Sequence, residues 1–258
     1  MKKLAFTLAE VLLVIAIIGT VSILTVNNAV KNTGTAEKIV QLKKTYDILQ
    51  GAVMASMNDV GSPYKWGAYG SGTESHEYNK AILEKVLVPH LKLQRNCETS
   101  TGCWKSTIQA NISNDPPTID TDNEWYKFIL ANGASVAIEL VQLDGDTPID
   151  DDSMLFLPGD CPTDNLVGVV YVDVDGPNKG SGKAGEDVFA FILFNENGLY
   201  PYGNNITIKY TDFERDPSCP SMGEYCTAWA LYKGNQDYFK CPDKLSWTDP
   251  EKSHCPVE

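Results

Sequence analysis

Histidine is scarce in this chain: His76, His90 and His254 stand far apart among 258 residues, which argues against a histidine-based metal centre. There is no Gly-x-Ser-x-Gly elbow, no phosphate-binding loop and no His-Glu-x-x-His pair, so the common hydrolase and nucleotidase signatures are missing. No nucleophile–base constellation takes their place, and the chain is not read as an enzyme. Positive charge is short as well. Lys and Arg number 21 against 34 Asp and Glu, a net of −13, and a surface of that sign repels the phosphates of a nucleic acid. None of the seven cysteines forms a Cys-x-x-Cys pair, which weighs against structural zinc and thioredoxin-like chemistry. What is present in quantity is apolar side chain, at 43%, enough for most of the chain to fold.

Charge and apolarity are unevenly spread. Residues 1–50 carry six lysines and three acids, whereas the rest of the chain is strongly acidic. Within the first 30 residues, two lysines precede a run that is nearly all apolar from Leu4 to Val26, and Val11 to Val26 holds no charge. As a helix, Phe6 to Val26 would span about 31 Å, close to the ~30 Å of a bilayer core. A removed secretory signal peptide is one reading, although no good small-x-small site follows the run. A plain signal anchor is another. Neither accounts for Glu10, a single acid inside the apolar stretch. A charged side chain there costs about 2.5–3.5 kcal/mol and calls for a partner. No Lys or Arg lies within two helical turns on its C-terminal side. The partner must therefore come from another chain, or be an amine made by cleavage.

The stretch Lys2-Lys3-Leu4-Ala5-Phe6-Thr7-Leu8-Ala9-Glu10-Val11-Leu12 resembles the N-terminal signal of type IV pilins and type II secretion pseudopilins. The resemblance implies a leader of residues 1–5, cut between Ala5 and Phe6 by a prepilin peptidase that then methylates the new N-terminal Phe6. Glu10 becomes the fifth mature residue, whose acid pairs with the N-terminal amine of a neighbouring subunit during assembly. Ala5 stands where the family usually has Gly, and Asn27 where many members have Pro. The implied function is that of a structural subunit of a pilus or pseudopilus filament. Its partners are copies of itself, the prepilin peptidase, the assembly platform, and the membrane through the N-terminal helix. The implied location is the inner membrane as precursor, then a filament in the periplasm or on the cell surface. The alternative is a membrane-anchored extracellular binding module or adhesin, with aromatics such as Tyr64, Trp66, Tyr69, Trp104, Trp229, Tyr232 and Tyr238 forming a ligand surface.

Beyond the apolar run, Ile39, Leu42, Tyr46, Leu49, Val53 and Met57 recur every three or four residues, the stripe of an amphipathic helix. It should end between Asn58 and Gly61, before Pro63; Asn32-Thr33-Gly34-Thr35 is a place for it to bend or break. The organisation expected is a leader (1–5), an apolar transmembrane or filament-core helix (6–30), an amphipathic continuation (31–60) and a globular head (61–258). In the head, 64–78 reads as loop, Ala81 to Val88 as a short helix stopped by Pro89, and Cys97 to Pro117 as loop. Tyr126–Ala131 and Ser135–Val141 form a hairpin across a two-residue Asn132-Gly133 turn. Leu166–Val174 and Asp187–Phe194 are further strands, and the aspartate-rich 144–152 a solvated loop. The fold class is α+β, a long helix packed on an antiparallel sheet, as in the pilin family.

The cysteines lie in loop-like sequence beyond the apolar run, which suits disulfides formed outside the cytoplasm. Local pairings would be Cys97–Cys103, Cys219–Cys226 and Cys241–Cys255, leaving Cys161 over. The last resembles the disulfide-bounded C-terminal region of many pilins. No cofactor is required. Asp173, Asp175, Asn178 and Asp187, in the loop joining two strands, are candidate oxygen ligands for Ca2+. The other reading of that loop is a tight turn held by Asx-type bonds.

Overall fold

The computed structural model describes residues 8–66, 75–105, 119–140, 166–196, 198–203 and 226–256, with the side chains of 8–33, 75, 76, 78 and 166 excepted. The chain divides into two compact units, Met1–Glu37 and Lys38–Glu258. Helix α1 spans Leu8–Val60. Its backbone stays helical through Asn32-Thr33-Gly34-Thr35, where a single Gly costs only about 1 kcal/mol relative to Ala. It ends where Gly61 takes φ +98 and its N–H closes on the Met57 carbonyl at 2.9 Å, a left-handed cap that glycine adopts without a Cβ penalty. Among the described residues no helix is long and apolar enough to cross a membrane; the apolar side chains of residues 6–26 lie outside that description.

In the second unit, the part of α1 from Lys38 onward buries one face. Ile39, Leu42, Leu49 and Val53 are core residues, with Tyr46 and Met57 packed against them, so the stripe read from the spacing is the buried one. Thr45, Ala52 and Ser56 fill the gaps between them. Truncating Leu42 or Leu49 to Ala should cost about 2–5 kcal/mol. Polar side chains on the flanks set the helix in register. Gln41 Nε2 donates to the Asn132 carbonyl (3.0 Å), and Asn132 Nδ2 donates to Thr45 Oγ1 (2.9 Å). Gln50 Oε1 accepts from Leu199 N–H (2.7 Å). The Tyr46 ring stacks on Phe191 with centroids 5.5 Å apart.

The partner of this helix is a six-stranded antiparallel meander in the order β1-β2-β3-β4-β5-β6. Its strands are β1 Leu93–Glu98, β2 Tyr126–Leu130, β3 Ser135–Leu140, β4 Leu166–Asp173, β5 Val188–Phe194 and β6 Gly198–Pro201. The described residues thus form an α+β fold with an antiparallel sheet. Strand β5 (VFAFILF) is buried along its whole length and therefore reads as a continuous apolar run, with both faces covered, rather than an alternating one.

Several local expectations need correction. Cys97 and Glu98, expected in a loop, end strand β1, whose Gln94, Arg95 and Asn96 are exposed. An edge strand needs no apolar alternation, because its pairing with β2 supplies the order. The β2–β3 turn has three residues. Leu130 N–H bonds to the Ala134 carbonyl and Gly133 N–H to the Leu130 carbonyl, each at 2.9 Å, and Gly133 alone takes positive φ. A two-residue turn of the I′ kind would require Asn132 there too. Helix α2 covers Ser75–Val86, beginning inside the segment read as loop, and a short 3-10 turn at Pro63–Trp66 precedes it. Strand β6 and helix α3, Thr227–Lys233, had no counterpart in the sequence reading. Residues 144–152 lie outside the described residues.

Candidate functional site

Of the residues tied to the N-terminal signal, Ala5 and Phe6 lie outside the described residues, and Glu10 is known only as a helical position in α1. The geometry available for a site is therefore that of the head, and it centres on the loop between β4 and β5.

That loop is closed by carboxylates. Asp187 is fully buried. Its Oδ2 accepts from the Ser181 N–H, the Ser181 hydroxyl (3.1 Å) and the Gly182 N–H (3.0 Å), and its Oδ1 from the Lys183 N–H (2.6 Å). One side chain thus satisfies four donors of the turn that precedes it. Gly180, at φ +69, lies against the carboxylates of both Asp187 and Asp175, where a Cβ would overlap them. Asp173 Oδ1 takes the Asp175 N–H at 3.0 Å, an Asx turn. Lys38, from α1, reaches in from the side. Its Nζ stands 3.0 Å from Glu186 Oε1, 3.8 Å from Asp175 Oδ2 and 4.0 Å from Asp187 Oδ2. Burial would lower the Lys38 ammonium, but the Glu186 hydrogen bond and the charges of Asp187, Glu186 and Asp175 outweigh it and raise its pKa.

Each proposed calcium ligand can now be placed. Asp187 is spent on backbone amides, Asp175 faces an ammonium, Asn178 is exposed, and Asp173 faces Lys105 at 3.1 Å. Among the described residues no group of three or more His, Cys, Asp or Glu is arranged to hold a metal ion. A divalent cation between Asp175 and Asp187 would meet Lys38 within about one ion-pair distance. As placed, the loop has the Asx-held form, with Asp173 Oδ1 on the Asp175 N–H.

The C-terminal segment grips the same loop. Gln236 Nε2 donates to the carbonyls of Gly185 (2.9 Å) and Glu186 (2.7 Å), and the buried Tyr238 hydroxyl donates to Gly185 as well. Cys241 and Cys255 are disulfide-bonded, and Asp237 Oδ2 accepts from the Cys255 N–H at 2.9 Å. Lys233 lies over the rings of Trp229 and Trp247 and donates to the Trp247 carbonyl at 3.0 Å. Cys97 and Cys103 form a second disulfide, next to Asp120, whose Oδ1 takes the N–H groups of Gly102 (2.8 Å) and Trp104 (3.1 Å). Cys226 is also disulfide-bonded. Cys219, its expected partner, and Cys161 lie outside the described residues.

Two lysines missed in the sequence organise the protein interior. Lys127, wholly buried on β2, donates to three carbonyls, those of Ile119 (3.1 Å), Asp120 (2.9 Å) and Asp122 (2.7 Å). Burial lowers its pKa against the opposing pull of Asp120 and Asp122. Lys105 faces Asp173, whose carboxyl is pushed up to about 7, first by burial and further by Asp187, with Lys105 acting the other way. A buried lysine carries no sequence mark of its own; only its place within the otherwise apolar strand YKFIL, buried at every position, hints at one.

The aromatics offered for a ligand surface are mostly core. Trp66, Trp104, Trp229 and Tyr238 are buried, Tyr64 packs on the core, and Tyr232 is exposed; Tyr69 lies outside the described residues. No protein-family model, curated protein or solved structure matches the chain.

Proposed function

We propose that the protein is a structural subunit of a type IV pilus-like or type II secretion pseudopilus filament, made as a prepilin and cut between Ala5 and Phe6. The observation that carries this reading is Glu10, the sole acid in an apolar stretch that begins seven residues before a charge-free run, with no Lys or Arg within two helical turns on its C-terminal side. Such an acid is tolerated when a partner amine neutralises it. The N-terminal amine of a neighbouring processed subunit, freed at Phe6, is that partner. Helix α1, running Leu8–Val60 and entering the core of the antiparallel sheet along its second half, supports the reading. Disulfides in the head agree with export from the reducing cytoplasm.

Before assembly the stem anchors the subunit in the inner membrane. Assembly withdraws it, because packed apolar helices replace lipid as its surroundings. The role is mechanical, not catalytic. The adhesin alternative draws less support, since four of the seven aromatics it relied on are buried. The decisive experiment is mass spectrometry of the mature N-terminal peptide from protein extracted from membranes. It should begin at Phe6 and carry one added methyl group. A peptide beginning at Met1, or downstream of Val26, overturns the reading.

A further inference from the structure

The interior of the head holds a pair of groups that the filament role does not use. Lys105 follows the Cys97–Cys103 disulfide turn, and Asp173 ends β4. Lys105 Nζ lies 3.1 Å from Asp173 Oδ2; both atoms are buried, and among the described residues neither has a further hydrogen-bond partner. Asp173 is wholly buried. Trp104 precedes the lysine and is buried; Tyr171, two residues back on the same face of β4, meets Trp125 edge-on at 5.5 Å. Ser135 stands directly opposite Asp173 across the β3–β4 ladder, its hydroxyl buried. An ion pair in such a place is stable only when further hydrogen bonds satisfy its charges, and here the lysine has none.

We propose that Lys105 and Asp173 are joined by an intramolecular isopeptide bond. The pair has everything the condensation requires. A proton passes from the ammonium to Oδ2, giving a neutral amine beside a carboxylic acid, the form that apolar surroundings favour. The amine lone pair attacks Cγ, and the carbonyl electrons move onto Oδ1. There the Asp175 N–H, already 3.0 Å away, holds the developing negative charge as an oxyanion donor. The nitrogen passes a second proton to Oδ2, the Cγ–Oδ2 bond breaks, and water leaves. One C–N bond replaces one C–O bond, and no oxidant, reductant or other reactant takes part. The 3.1 Å between Nζ and Oδ2 holds the amine beside the carboxyl and supplies the proximity such a step needs. The product is a neutral amide in place of two buried charges, and it ties the turn after β1 to the end of β4, a covalent strut beside the disulfide. This proposal does not depend on the filament reading.

The test uses the full chain purified from membranes. After reduction, its intact mass should fall short of the mass of its processed sequence by one water, and a tryptic digest should contain a branched peptide joining Lys105 to Asp173. Lys105→Arg, which keeps the charge but removes the nucleophile, should return the mass to that of its sequence. A reduced protein with no missing water, even after prolonged incubation, overturns the proposal. So does a water loss that persists in Lys105→Arg, or a digest in which peptides ending at Lys105 are released unlinked.

Discussion

The N-terminal segment sets an acid in an apolar run of sequence, the β4–β5 loop buries Asp173 and Asp187, and the two meet the same cost in opposite ways. In the loop, two acids find partners within their own chain: Asp187 the amides of residues 181–183 and Glu186 the Lys38 ammonium. For Glu10 the sequence provides no Lys or Arg within two helical turns on its C-terminal side. A self-satisfied acid stabilises the fold that contains it; an unsatisfied one makes a subunit incomplete until another molecule arrives. The comparison teaches that the first belongs to stability and the second, on the filament reading, to assembly.

The sharpest way to break the contrast is Glu10→Ala. It should still insert and be processed, and the head should melt as before, while filament formation seen by electron microscopy falls by an order of magnitude or more. Filaments at normal yield would sink the pairing role. Next comes Asp187→Asn, which replaces one acceptor oxygen by a donor, facing the Ser181 and Gly182 amides if the remaining oxygen keeps the Lys183 N–H. A loss of about 3 kcal/mol is expected from leaving such groups unpaired, read by chemical denaturation of the head. Removing the Cys241–Cys255 bridge by a double Ser substitution should cost about 3 kcal/mol for a loop of this size, again without affecting processing. Lys38→Met should cost less, about 1 kcal/mol, because the Glu186 partner is more than a third exposed and water screens it. That loss should be masked by high salt.

A separate effect is a pH dependence. Glu139 on β3 has its carboxyl raised from 4.5 to about 7 by burial and then by Glu124 and Asp122. The unfolded chain therefore loses this proton before the folded chain does, and stability declines as pH rises from about 4.5 to 7. Glu139→Gln should flatten that part of the melting-temperature profile; an unchanged slope would remove Glu139 as its source.

The legible parts of the fold were those with local periodicity or chemistry. The stripe on α1 announced its buried face, the run VFAFILF announced β5, and Asn132-Gly133 marked the hairpin to within one residue. Cys97–Cys103 and Cys241–Cys255 followed from short spacing. The β4–β5 loop was legible as a cluster of acids but not in its chemistry, because the deciding cations, Lys38 and Lys105, lie far away in the chain. β1 and β6 escaped for a related reason: a polar edge strand and a four-residue strand owe their form to the neighbour they pair with.

What the sequence by itself determined is what depends on neighbours along the chain. It set the unpaired acid in an apolar run, the amphipathic half of α1, the strand-forming segments and the cysteine spacing, since period and proximity need no third dimension. Only the tertiary structure decided which carboxylates meet amides and which meet lysines. It also decided whether the acidic loop holds itself shut, and which aromatics are core rather than surface. Those outcomes turn on contacts between residues as far apart as Lys38 and Glu186, and burial strengthens such contacts by removing the water that would otherwise weaken them.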